Sequence, residues 1–171
     1  MGFFKGIAGL FLYIGALFAP VGESRLEVKG LNSDDARYYR IKTTFDFQWN
    51  DNFTDIINSG IAITVKYSCA YDRKKEKLYR TLQKPVSQKE YLLIDSLSDG
   101  SVNTKKYANI PIAMRNFKQV IWKVESSAKI LDFSAEVTNS FVPSMEVYVD
   151  ISPLFGGRKF SKRLRIEKEF R

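Results

Sequence analysis

Between Tyr38 and Trp49 the chain alternates with a period of two. Tyr39, Ile41, Thr43, Phe45, Phe47 and Trp49 are separated by Arg40, Lys42, Thr44, Asp46 and Gln48. That spacing sends one set of side chains toward a core and the other toward water, which predicts a long half-buried strand. Asn50-Asp51-Asn52 breaks the pattern, and Phe53 to Asn58 is predicted to form a short helical turn. Asp51 or Asn52 would cap it, and Gly60 would end it. The alternation resumes from Ile61 to Tyr71, with Ile61, Ile63, Val65, Tyr67, Cys69 and Tyr71 on one side. The two strands are joined by a short connection. They are expected to pair antiparallel, with the helical segment crossing one end of their sheet.

The remaining elements follow from similar patterns. Asp72 to Lys77 reads as a charged hairpin tip, and Leu78 to Lys84 as a strand that stops near Pro85. Glu90 to Asp95 is another strand, and Asp99-Gly100 predicts a hairpin that returns Ser101 to Tyr107 against it. From Ile110 to Val124 the period changes. Ile110, Ala113, Met114, Phe117, Val120, Ile121 and Val124 share one helical stripe, which predicts an amphipathic helix capped by Asn109 and starting near Pro111. Strands are then expected at 131–137, 145–151 and 160–170, with Gly156-Gly157 turning the chain before the last. About eight strands and one main amphipathic helix predict a mainly β (α+β) fold, an antiparallel β-sandwich or half-open barrel with the helix over one face or end.

The N-terminus points to a compartment. Lys5 precedes an apolar run from Gly6 to Gly22, with no charge until Glu23. A basic start, an apolar centre and small residues beyond it are the marks of an export signal, either cleaved or retained as an anchor through residues 6–22. The run falls short of the roughly 20 residues that cross a bilayer comfortably. Residues 1–24 are therefore expected to direct export to the periplasm or cell envelope, and residues 25–171 to form a single β-rich domain.

Composition narrows the chemistry. Cys69 is the sole cysteine, so no intrachain disulfide can form, and its place in an alternating strand predicts a buried, inert thiol. The chain has no histidine, which removes Ser-His-Asp and Cys-His catalysis and the commonest metal ligand. No catalytic, cofactor-binding or metal-binding residues are expected. The net charge is +8, which draws an exported domain toward anionic surfaces: a membrane, an envelope polymer or an acidic protein. Nucleic acid is excluded by compartment rather than by charge. Asn52-Phe53-Thr54 matches a glycosylation sequon, a pattern without meaning in a bacterial chain.

The basic clusters are the functional candidates. One is Arg73, Lys74, Lys75 and Lys77; the other is Arg158, Lys159, Lys162, Arg163 and Arg165. Arg163 and Arg165 share one face of the last predicted strand and could meet a row of anionic groups. The same charges could instead be a solvated edge that blocks sheet-to-sheet association.

The order of these features resembles an uncharacterised family of bacterial exported proteins, domain of unknown function 4390. The likeness runs through Thr44-Phe45-Asp46-Phe47, the segment Phe53 to Ile61, Thr64-Val65-Lys66-Tyr67, Pro85-Val86, Tyr91-Leu92-Leu93-Ile94, Asp99-Gly100 and the stretch from Ile110 to Trp122. It implies a bacterial envelope protein and supplies no catalytic residues. The expected function is a non-enzymatic binding or accessory module. Two alternatives stand beside it. One is a hydrophobic-ligand carrier lined by Tyr39, Phe45, Phe47 and Trp49. The other is a carboxylate-dependent hydrolase of wall polysaccharide, which needs two carboxylates facing across a cleft.

Overall fold

The structure, a computed structural model, describes residues 24–46, 53–137, 140–141, 149–150 and 159–165. The proposed leader, Phe47, Trp49, Asp51, Asn52, Arg158 and the Gly156-Gly157 turn lie outside the described residues. What is described is mainly antiparallel β. The strands are β1 (Arg25–Leu31), β2 (Tyr38–Asp46), β3 (Ile63–Tyr71), β4 (Lys74–Gln83), β5 (Tyr91–Leu97), β6 (Val102–Tyr107), β7 (Gln119–Glu125), β8 (Ile130–Val137), β9 (Ser140–Phe141), β10 (Val149–Asp150) and β11 (Lys159–Arg165). Two short helices, α1 (Phe53–Asn58) and α2 (Ile110–Phe117), join sheet to sheet.

The strands form a three-stranded sheet in the order β1-β2-β7 and a six-stranded sheet in the order β11-β8-β3-β4-β5-β6. β9 and β10 make a separate two-stranded ladder. The expected pairing of β2 with β3 does not occur. α1 instead carries the chain from the small sheet to the large one, and Gly60 ends it as predicted. Gly60 adopts φ +92°, and the Gly60 and Ile61 amides donate to the Ile57 and Ile56 carbonyls at 3.1 and 3.4 Å. A side chain there would meet Val86 Cγ2 at 2.9 Å, so glycine suits the site twice over.

The predicted helix over 110–124 is half right. It begins as expected, with Asn109 Oδ1 accepting from the Ile112 amide at 3.1 Å and Pro111 in the first turn. It stops at Phe117, and after Lys118 the seven residues 119–125 are β7, paired along β2 from Tyr38↔Glu125 to Thr44↔Gln119. Val120, Ile121 and Val124 fit a helical stripe, but Val120, Trp122 and Val124 also alternate. Their branched and aromatic side chains, and an open edge of β2 to pair with, favour the strand. β4 likewise starts at Lys74 rather than Leu78, because Asp72 takes φ 50° in a two-residue turn with Arg73. The Asp99-Gly100 hairpin forms as predicted, with Gly100 at φ +85°.

One hydrophobic core cluster draws on both sheets. Ile63, Val65, Tyr67, Cys69 and Tyr71 of β3 lie in one cluster with Phe45 of β2, Phe117 of α2, Trp122 and Val124 of β7, and Phe133 of β8. β1 lies beside β11 and β8, β7 approaches β3, and α2 rests against β4, β5 and β6. Several buried polar groups find partners inside the core. Tyr67 donates its hydroxyl to the Phe117 carbonyl at 2.8 Å, and Trp122 Nε1 donates to Thr43 Oγ1 at 3.0 Å. Cys69 is buried as expected, and burial pushes its thiol up to about 12.

Candidate anion-binding surface

Each sheet has an outer face, and register decides which charges meet there. On the six-stranded sheet β3 turns Ile63, Val65, Tyr67, Cys69 and Tyr71 inward, leaving Thr64, Lys66, Ser68 and Ala70 on the outer side. Following the ladders outward from β3, one row reads Arg163, Asp132, Ala70, Lys75, and the next Ser161, Ser134, Ser68, Lys77. The two basic clusters seen separately in the sequence thus reach one face. Lys66 lies opposite Glu136, which in turn pairs in register with Lys159.

Two of this face's cations are neutralised within the fold, while Lys75 and Lys77 join no ion pair among the described residues. Arg163 forks onto Asp132, with Nε and Nη2 at 2.8 and 3.2 Å from the two carboxylate oxygens. That hydrogen-bonded carboxylate raises the guanidinium's affinity for its proton. Lys66 Nζ reaches Glu136 Oε2 at 3.4 Å. Arg165 holds the register position opposite Ile130. Lys162 holds the opposite alternation, with Leu164, and is exposed. Of the first cluster, Lys74 leaves this face and hydrogen-bonds Glu125 at the end of β7. Arg73 sits in the turn, exposed.

The outer face of the three-stranded sheet is different. One row across its strands reads Lys29, Lys42, Ile121; the adjacent row reads Leu31, Arg40, Lys123. Lys29 lies directly opposite Lys42, and Arg40 directly opposite Lys123. Neighbouring strands stand about 4.8 Å apart and same-face residues about 6.8 Å apart along a strand, so these cations crowd a small area. Like charges directly opposite one another oppose sheet formation.

The acids around this block are already engaged. Arg25 pairs with Glu27 at 2.8 Å and with Asp46 at 3.9 Å, Lys118 reaches Asp46 at 3.3 Å, and Lys74 occupies Glu125. Arg37 forks onto Asp35 at 3.0 Å, and that hydrogen bond holds the Asp35 carboxyl below the usual carboxylate range, with Lys123 adding a smaller attraction. Among the described residues no ion pair involves Lys29, Arg40, Lys42 or Lys123. Lys123 rests its ammonium 4.0 Å from the centroid of the Tyr38 ring, a cation–π contact that takes up part of its charge.

A buried clamp keeps the two faces in fixed relation. Arg80 of β4 forks onto Asp95 of β5, both contacts at 2.6 Å, with side chains 11% and 15% exposed. The same guanidinium donates to the carbonyls of Asn116, at 2.9 Å, and of Gln119. It therefore ties the large sheet to the junction of α2 and β7. Four of the five Arg80 N–H donors are committed, so this charged pair acts as a structural tie.

The cation block was invisible to sequence reading. Lys29 sits in β1, a strand not predicted, and Lys123 in a stretch predicted as helix. The signal that could have found them is the alternation Leu26, Val28 against Glu27, Lys29, together with Val120, Trp122, Val124 against Ile121, Lys123. Phe45, a residue of the proposed ligand-carrier lining, lies in the core, and Tyr39 packs at the core's margin. Among the described residues no three His, Cys, Asp or Glu side chains group as a metal site, and no helix is long and apolar enough to cross a membrane. No protein-family model, curated protein or solved structure matches the chain.

Proposed function

We propose that this chain is an exported, non-enzymatic binding module of the bacterial envelope, and that the outer face of its three-stranded sheet holds an anionic partner. One observation carries the second half of this reading: Lys29 opposes Lys42 and Arg40 opposes Lys123, with the neighbouring acids engaged elsewhere. A fold gains nothing by placing cations against cations, whereas an anion bound between them turns the repulsion into attraction. The apolar run at residues 6–22 and the likeness to an exported family support the first half.

The architecture we infer is a sandwich, the three-stranded sheet lying across the six-stranded one. The nearness of β1 to β11 and of α2 to β4, β5 and β6 supports this arrangement. It leaves both outer faces open to a partner.

Two measurements test the reading. A fusion of residues 1–30 to a reporter active only after export should be active. The full chain should bind long-chain inorganic polyphosphate with an affinity that falls steeply as salt rises, and reversing Lys42 and Lys123 to Glu should weaken it at least tenfold. An inactive reporter removes the export claim. Unchanged binding in the reversed variant removes the assignment of the face.

A further inference from the structure

We infer that the outer face of the three-stranded sheet docks on an anionic lipid surface, with Ile121 entering the boundary between headgroups and acyl chains. This rests on the anion-binding reading above and adds the class of partner. Ile121 is 55% exposed, lies beside Lys42 across the ladder and two residues from Lys123 along β7, and shares their face. Leu31 occupies the diagonally opposite corner of the same block, next to Lys29 along β1 and opposite Arg40. Aliphatic side chains set among cations give a soluble polyanion nothing to bind. A membrane interface rewards both, because phosphates meet the charges while the acyl boundary takes the apolar groups.

The layout of the charges points the same way. They spread over three neighbouring strands in two rows, a two-dimensional array on a sheet face, and a bilayer presents its phosphates as a two-dimensional array. Tyr38 stands at the margin of the face with its ring beneath Lys123 and 5.7 Å from the Arg37 guanidinium. A ring with a polar tip beside cations fits the headgroup level. A second copy of the chain is a poor occupant, since two such faces repel. The other sheet is the competing face. Tyr79 and Val102 are also exposed on its outer side, where Arg163 and Lys66 hold Asp132 and Glu136 and no like-charged residues lie directly opposite one another around Tyr79.

The test uses the full chain and its single buried thiol. Ile121→Cys and, separately, Tyr79→Cys are labelled with an environment-sensitive fluorophore, Cys69 being inaccessible in the folded protein. Each is mixed with vesicles of phosphatidylglycerol and phosphatidylcholine, with vesicles of phosphatidylcholine alone, and with inorganic polyphosphate. The label at position 121 should brighten several-fold on the anionic vesicles and stay unchanged on the neutral ones, and the label at 79 should not respond. Lys42→Glu with Lys123→Glu should lower anionic-vesicle partitioning at least tenfold, at roughly fivefold per basic residue near the surface. That variant gives up the Lys123–Tyr38 cation–π contact but replaces two repulsive cross-strand pairs with attractive ones, so its fold is retained.

Brightening at 79 rather than 121 overturns the inference. So does equal brightening at 121 on neutral vesicles, which would show apolar insertion that does not need the cations. Polyphosphate binding without brightening at 121 also overturns it while leaving the anion-binding reading intact. Failure with both polyphosphate and anionic vesicles removes the two together.

Discussion

On the six-stranded sheet Arg163 faces Asp132 and Lys66 faces Glu136; on the three-stranded sheet Lys29 faces Lys42 and Arg40 faces Lys123. Both faces are rich in cations, but register sets Arg163 and Lys66 against acids on the large sheet and sets cation against cation on the small one. Where a cation lies across from an acid, the fold has supplied the counter-charge. Where it lies across from another cation, the counter-charge must come from outside. Counting lysines and arginines along the chain cannot make this distinction, because it depends on which strand pairs with which. On the proposed reading, the C-terminal cluster that stands out in the sequence is the lesser candidate, and the scattered residues of β1, β2 and β7 make the better one.

The comparison presumes that both faces belong to one rigid body, and the largest expected effect tests that premise. Arg80→Met strands Asp95 in a mostly buried setting and removes two donors from the α2–β7 junction. Breaking a buried pair from one side costs about 3–5 kcal/mol, which urea unfolding would register. Replacing both partners, Arg80→Met with Asp95→Leu, should recover most of that loss. If the single variant unfolds at the wild-type urea concentration, Arg80 does not hold the sheets together.

The second test tries to convert one face into the other. Asp132→Lys with Glu136→Lys would set cation against cation on β8, β3 and β11, copying the small sheet's arrangement. Losing two attractive cross-strand ion pairs and gaining three repulsive ones, since position 136 faces both Lys66 and Lys159, should cost about 1–3 kcal/mol. Polyphosphate binding by the large sheet should rise in exchange. Stability lost with no gain in binding would show that like-charge register alone does not make an anion site.

The third test runs the conversion in reverse. Lys42→Glu with Lys123→Glu turns both repulsive pairs of the small sheet into attractive ones. Cross-strand pairs contribute roughly 0.2–1 kcal/mol each, so the variant should gain about 1 kcal/mol of stability as it loses anion binding. A variant that becomes less stable would mean that the wild-type charges are not in conflict.

Much of the large sheet is legible in the sequence, and most of the small one is not. β3 is clear because Ile63, Val65, Tyr67, Cys69 and Tyr71 alternate without interruption, and the β5–β6 hairpin because Asp99-Gly100 supplies a turn with positive φ. β1 is obscured by Gly30, which stands where the next inward side chain after Leu26 and Val28 belongs. β7 is obscured because Val120, Ile121 and Val124 satisfy both the helical and the strand period. The helical reading buries Ile121 and leaves Trp122 out of the apolar stripe; the fold does the reverse. The pairing of β2 with β7 rather than β3 is a long-range choice that no local pattern encodes. Since the cation block exists through β1–β2 and β2–β7 pairing, misjudging those partners hid the site itself.

The smallest expected effect probes the neutralised face from the other side. Arg163 and Asp132 are 71% and 47% exposed, so water already solvates both charges well. Their bidentate geometry is good, but exposed pairs of this kind contribute from nothing to about 1 kcal/mol, and the entropy of two held side chains opposes even that. Asp132→Asn keeps the shape and one acceptor while removing the counter-charge. Its unfolding midpoint should move by less than about 0.5 kcal/mol equivalent. Arg163 is then free to seek an outside anion, so polyphosphate binding should rise slightly, and salt should erase the gain first. A large loss of stability would make the pair a structural element rather than a local charge balance. A rise in anion binding as large as the loss in Lys42→Glu, Lys123→Glu would put the two faces on equal footing and remove the distinction drawn between them.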